Sequence, residues 1–101
     1  MLTPLTPSEA ITMMRDGAVL CDIRSPGEFA QEHISGAMNL PLPSIDNVDK
    51  DASRPLIFCC LSGARTAMAA GRLAEAAGRP AYVIEGGLLA WKGAGLPVSN
   101  R

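Results

Sequence analysis

The chain has 101 residues, 48% of them hydrophobic and 19% charged, with a formal net charge of −1. That describes one compact domain, residues 1–101, with enough apolar material for a core and no room for a second domain. The near-neutral balance, without any run of Lys or Arg, excludes the electrostatic footprint of a nucleic-acid binder or a polybasic membrane binder and leaves small molecules and proteins as partners.

The N-terminal stretch Met1-Leu2-Thr3-Pro4-Leu5 has neither the basic region nor the apolar run of a signal peptide, and no segment reaches membrane-spanning length. A cytoplasmic domain with no membrane segment is expected. A first short strand is followed by a helix: Thr6-Pro7-Ser8-Glu9 reads as a capping box with Pro at the first helical position, and the helix runs to about Arg15 before Asp16-Gly17 ends it. Ala18 to Ile23 is an apolar run broken only by Asp22, the pattern of a strand buried on both faces of a parallel sheet. Ser25-Pro26-Gly27-Glu28 repeats the capping box and starts a short helix through about Gln31.

Irregular chain follows, then a short strand at Ala37 to Leu40 and a polar, Pro-flanked loop from Pro41 to Pro55 with room for one helical turn. Leu56 to Cys59 is the third buried strand. Ala64 to Ala77 is rich in helix formers and closes at Gly78. Ala81 to Ile84 is a strand, Glu85-Gly86-Gly87 a turn and Leu88 to Lys92 a short helix, and Gly93 to Pro97 ends the organised region. Strands alternating with helices over this length predict an α/β domain, with a mainly parallel sheet and helices on both faces.

The chemistry concentrates at Cys60, between the apolar Leu56 to Cys59 and the helix from Ala64. A thiol at a strand-to-helix turn faces backbone N–H groups that lack helical partners and carry partial positive charge, and a thiolate is an anion suited to that place. The result is a nucleophile. Cys21, Cys59 and Cys60 are an odd number with two adjacent, which suits reduced thiols better than a disulfide framework. With His33 the single histidine, no metal cluster and no cofactor is expected.

Four groups of residues, in order, resemble the rhodanese family over nearly the whole chain. Asp22-Ile23-Arg24 with Glu28-Phe29 resembles its D-x-R-x-x-x-E-[FY], and His33-Ile34-Ser35-Gly36-Ala37-Met38-Asn39-Leu40-Pro41 its H-I-x-G-A-x-N-[IL]-P. Cys60 to Arg65 fits C-x-x-G-x-R, and Glu85-Gly86-Gly87 with Ala90-Trp91 and Gly95-Leu96-Pro97-Val98 resembles the closing motifs. The resemblance implies a single rhodanese-like domain with a five-stranded parallel sheet flanked by helices, and a sulfurtransferase. It makes Cys60 the persulfide-forming nucleophile and Leu61, Ser62, Gly63, Ala64 and Arg65 the cradle of the transferred sulfur.

The implied reaction needs little more than that cradle. Cys60 attacks the outer sulfur of a small sulfane donor such as thiosulfate, or of a protein persulfide, and a thiol or cyanide then removes the sulfur. Backbone N–H groups of residues 61–65 stabilise the negative charge. Gly63 lets the backbone curl, so Gly63→Ala or Gly63→Val is expected to damage the loop before the fold. Leu61, Ser62 and Ala64 carry no charge, which points to a persulfide donor over a dianion and leaves Leu61 as an apolar contact for whatever docks.

Two rival readings stand beside this one. The alternative to the enzyme is a docking module that carries persulfide without turnover. Counted from Cys59, Cys-x5-Arg65-Thr66 resembles the signature of cysteine-dependent phosphatases and arsenate reductases; but in that register Ser62 falls where a glycine belongs, whereas from Cys60 Gly63 falls in place. Cys59 and Cys21 then read as apolar filler. Arg65 either pairs with Asp22 or Glu28 or faces the substrate. Asp22, Arg24 and Thr66 are expected to support the loop, His33 to make a structural hydrogen bond in a His33-Ile34 turn, and Trp91 to lie in the core.

Overall fold

A computed structural model describes residues 2–51 and 53–101; Met1 and Ala52, the latter within the expected Pro41 to Pro55 loop, lie outside the described residues. In chain order the elements are β1 (Leu2–Leu5), α1 (Pro7–Arg15), β2 (Val19–Asp22), α2 (Pro26–Gln31), β3 (His33–Ile34), β4 (Met38–Asn39), a 3-10 stretch (Leu42–Asn47), β5 (Leu56–Cys59), α3 (Ala64–Met68), α4 (Ala70–Ala77), β6 (Ala81–Ile84), α5 (Gly87–Gly93) and β7 (Val98–Ser99). Five of the strands form one sheet in the order β1-β6-β5-β2-β4, and every neighbouring pair in it is parallel.

The continuous apolar runs sit where a parallel sheet requires them. β2 and β5 are buried along their whole length and lie adjacent inside the sheet. Pro4, which lacks an N–H, is tolerated because β1 is an edge strand. Side chains alternate between two cores. Val19, Cys21, Ile23, Leu56 and Phe58 pack with Ile45 of the 3-10 stretch and with Leu73 and Ala77 of α4 on one face. Leu20, Ile57 and Cys59 pack with Ala10 of α1 and with Leu88 and Trp91 of α5 on the other. Trp91 is fully buried as expected, and its Nε1–H donates to the Pro97 carbonyl at 2.9 Å. No helix among the described residues is long and apolar enough to cross a membrane.

Both capping boxes form, Thr6 with Glu9 and Ser25 with Glu28, each with Pro inside the first turn. The helix expected over Ala64 to Ala77 is instead two, α3 and α4, parted at Ala69 (φ −99°, ψ 11°). Gly71, two residues on, weakens the helix there by about 1 kcal/mol relative to Ala, which lowers the cost of the break. The expected turn at His33-Ile34 is a strand: β3 pairs antiparallel with β7, so the organised chain continues past Pro97. Two-residue strands show no alternation, and only this long-range pairing defines them. His33 does make a local bond, Nδ1–H to the Phe29 carbonyl at 2.6 Å, with its ring stacked on that of Phe29.

Charged groups organise the end of β2. Asp22 is 1% exposed and Arg24 4%. Arg24 donates Nε–H and Nη2–H to the Asp22 carboxylate at 3.0 and 2.8 Å, and Nη2–H also to the Glu32 carbonyl at 2.7 Å. Asn39 Nδ2 bridges the Asp22 and Arg24 carbonyls at 3.1 and 3.0 Å. The Glu28 carboxylate accepts from the Ser25 N–H and Oγ–H, each at 3.1 Å, and from both Arg65 Nη atoms at 2.8 Å.

Two outcomes follow. Asp22→Asn leaves the buried Arg24 guanidinium without its counter-charge and is expected to cost about 3–5 kcal/mol in urea unfolding; a loss below about 1 kcal/mol would contradict a structural role for the pair. Hydrogen bonds from Arg65 first, then from the Ser25 N–H, hold the Glu28 carboxyl down to about 2. Because the folded value is the lower one, this stabilisation is complete above the ordinary carboxylate range near pH ~4.3 and fades as pH falls toward about 2. The stability gap between wild type and Glu28→Gln should therefore close between about pH 4 and pH 2, and a gap that stays constant there would contradict the pairing.

Candidate active site

The turn that links β5 to α3 places Cys60 between a buried strand and a helix start. Its side chain joins the core face lined by Phe58 and Ile45 and is only 1% exposed, whereas the side chains of Leu61, Ser62, Ala64 and Arg65 point outward. Gly63 stands at φ +93°, in the left-handed region that favours glycine, and precedes the first residue of α3. That conformation turns its N–H onto the Cys60 sulfur, N to Sγ 3.2 Å. Thr66 is buried one turn further on; its Oγ1–H donates to the Gly63 carbonyl at 3.0 Å, and Oγ1 lies 3.8 Å from Sγ. Ser62 Oγ accepts from the Ala64 N–H at 3.4 Å and closes the outer side of the turn. The N–H groups of Leu61 and Ser62 donate to no protein acceptor among the described residues.

A second element fixes the turn from below. The N–H groups of Leu88 and Leu89, in the first turn of α5, donate to the Cys60 and Leu61 carbonyls at 2.9 and 3.0 Å. Helix-start amides, ordinarily left to solvent or a cap, here hold the loop backbone. The contact is close because Gly87 has no side chain. A Cβ at Gly87 would stand 2.5 Å from the Cys60 carbonyl oxygen and 2.7 Å from that of Leu61, at φ +60°. Sequence reasoning reads Glu85-Gly86-Gly87 as a turn and misses this role; the pair of glycines one residue after β6 is the signal that a backbone approaches there.

The other expected site residues fall into two groups. Thr66 touches the turn itself. Asp22 and Arg24 bond each other, Glu32 and Asn39, and among the described residues neither side chain bonds to residues 60–66. Their link to the turn runs through the segment they brace: Glu28 in α2 receives both Arg65 bonds. Of the partners expected for Arg65, Glu28 is the one it takes. The sole cation of the turn is thereby committed to a carboxylate.

The two adjacent cysteines point to opposite faces of the sheet, as neighbours on a strand must. Cys59 packs with Leu5, Leu20, Ile57 and Trp91, away from the turn. Burial first, and then the charge of Asp22, push its thiol well above the ordinary cysteine range. Cys21 is likewise buried, and its thiol is pushed up to about 12, first by burial and then by Asp49. Neither opens onto the loop. Among the three thiols, Cys60 alone has a backbone N–H on its sulfur.

Known proteins resemble this chain in sequence and in fold. A 34% identical relative, the thiosulfate sulfurtransferase GlpE of Stutzerimonas stutzeri, aligns over 87% of this chain and 83% of its own. An uncharacterized Synechocystis protein is 38% identical over 82% of this chain, which spans about half (48%) of that relative's length. Among solved structures, a rhodanese-related protein of Thermoplasma volcanium superposes with TM-score 0.82 at 20% identity, covering 98% of this chain and 99% of its own. A Rhodopseudomonas palustris protein of unknown function, described as a possible tyrosine phosphatase, superposes with TM-score 0.80 at 28% identity over 97% and 85%. The family model for the rhodanese-like domain matches residues 6–94, and the chain belongs to that family.

Proposed function

We propose that this protein is a rhodanese-type sulfurtransferase that carries sulfane sulfur as a persulfide on Cys60. The observation that carries the reading is the Gly63 N–H at 3.2 Å from a buried sulfur, in a turn whose Leu61 and Ser62 N–H groups have no protein acceptor among the described residues. The GlpE relative, by name a thiosulfate sulfurtransferase, supports the same reaction class. Cys60 as thiolate attacks the outer sulfur of the donor; the donor's S–S bond breaks, and the rest of the donor leaves with the electron pair, as sulfite from thiosulfate or as a thiolate from a persulfide. A thiol, as its thiolate, or cyanide then attacks the outer sulfur, and the Cys60 thiolate leaves. One sulfur moves with no net oxidation, so a reducing compartment such as the cytoplasm suits the chemistry.

The turn's contribution is electrostatic and largely prebuilt. Amides fixed by Gly63, Thr66 and the first turn of α5 surround negative charge on the outer sulfur without having to reorganise. Leu61 to Arg65 bind the transferred sulfur through their backbone. Arg65, Asp22, Arg24 and Thr66 position that backbone. Because Arg65 is paired with Glu28, a persulfide donor is favoured over the thiosulfate dianion.

Treatment with a sulfane donor should add the mass of one sulfur to the Cys60 peptide in wild type and in Cys59→Ser but not in Cys60→Ser, and Cys60→Ser should lose turnover by about 10³-fold or more. Activity lost only in Cys59→Ser would overturn the assignment. Gly87→Ala, whose Cβ would collide with the Cys60 and Leu61 carbonyls, should lower kcat by about 10²-fold through misplacement of the turn while the protein stays folded by circular dichroism. Full activity in that variant would show that the α5 contact does not position the sulfur.

A further inference from the structure

A groove of about 730 Å³ opens beside the Cys60 turn and runs between the edge of the sheet and the outer face of α3 and α4. At its inner end it touches Ser62, Gly63 and Thr66, two of which contact the Cys60 sulfur. Beyond the turn its walls are Leu2 and Pro4 of β1, Val83 of β6, and Ala67, Ala70 and Ala74 of the helices. Alanines at these positions, with Gly71 among them, leave the space that larger side chains would close. The volume lies within the range of small-molecule sites.

Charge narrows what the groove can take. Glu85 is the only ionisable residue that lines it among the described residues. The nearest cation of the turn, Arg65, is held by Glu28 through two 2.8 Å bonds and does not line the groove. An anionic occupant would therefore meet one carboxylate and no counter-charge. A neutral carbon chain would meet mostly apolar walls, with Ser62 and Thr66 at the turn and Glu85 as the polar exceptions.

We propose that this groove seats the carbon chain of a small, neutral thiol that accepts sulfur from Cys60, so that the protein selects apolar, uncharged thiols over anionic ones. The inference rests on the sulfurtransferase reading above. The acceptor thiol loses its proton to solvent, and its thiolate sulfur attacks the outer sulfur of the Cys60 persulfide. A new S–S bond forms to the acceptor, the bond between Cys60 Sγ and the outer sulfur breaks, and Cys60 regains the electron pair as thiolate. The acceptor leaves as a persulfide.

The test uses the full chain after mass spectrometry has shown one added sulfur on the Cys60 peptide. Discharge of that sulfur is timed with mercaptoalkanols of increasing chain length, and with mercaptoalkanoic acids of matched length. Discharge efficiency should rise about two- to fourfold per added methylene over the first several carbons, as expected for progressive burial of apolar surface. The acids should be slower at every length, and Glu85→Gln should narrow that difference. A Cβ added at Gly71 would meet only open space, so Gly71→Leu projects a side chain into the groove without a clash and should flatten the chain-length dependence. A wild-type rate independent of chain length, or a dependence that survives Gly71→Leu, would overturn the groove assignment while leaving the Cys60 persulfide intact. Failure of every donor to load Cys60 would instead overturn the sulfurtransferase reading, and this inference with it.

Discussion

The backbone of the Cys60 turn is held between two helix starts, and the rest of the site depends on that constraint. From one side, Gly63 in its left-handed conformation aims an N–H at the sulfur, and Thr66 fixes the Gly63 carbonyl. From the other, the Leu88 and Leu89 amides hold the Cys60 and Leu61 carbonyls. Once those carbonyls are committed inward, the intervening peptide units present their N–H groups to the outside. Hydrogen bonding thus leaves the Leu61 and Ser62 N–H groups without a protein acceptor among the described residues, on a stretch whose side chains are neutral. The sheet supplies the rigid base: β5 ends in Cys59, inside the sheet and buried on both faces.

On the proposed reading, this construction builds a site for an anion with little formal charge. Arg65 stabilises the loop through Glu28, and the capping box of α2 holds Glu28 in turn. The buried Asp22–Arg24 pair sets the path of the segment that delivers α2. Charge fixes the shape, and the dipoles of the turn are left for chemistry. Such fixed dipoles act most strongly where water is largely excluded, and Cys60 is almost wholly buried. Burial pushes the Cys21 and Cys59 thiols up. Neither has the geometry found at Cys60, where the Gly63 N–H is directed at the sulfur from 3.2 Å.

Much of this was legible in the sequence, for reasons that are local. Both capping boxes, the buried runs of β2 and β5, and the glycine three residues after Cys60 are short-range patterns with one dominant physical solution. Strand alternation also bears on the two cysteines: Leu56, Phe58 and Cys60 share one face, and Ile57 and Cys59 the other. The features that sequence reasoning misses are non-local. The β3–β7 pair is two residues long and joins segments more than sixty residues apart. The break at Ala69 sits in a run of helix formers, where only Gly71 hints at weakness. The grip of α5 on the turn is a backbone-to-backbone contact, and its sole trace is the absence of a side chain at Gly87.

Amide hydrogen exchange, resolved residue by residue before and after sulfur is loaded on Cys60, tests the clamp and the cradle together. The Leu88 and Leu89 amides should be strongly protected in both states, because their acceptors are the loop carbonyls. The Leu61 and Ser62 amides should exchange freely in the unloaded protein and slow by about tenfold or more once the outer sulfur is present, the effect of about one hydrogen bond each. Leu88 and Leu89 exchanging as open amides, or Leu61 and Ser62 unmoved by loading, would contradict a turn held from α5 whose backbone carries the sulfur.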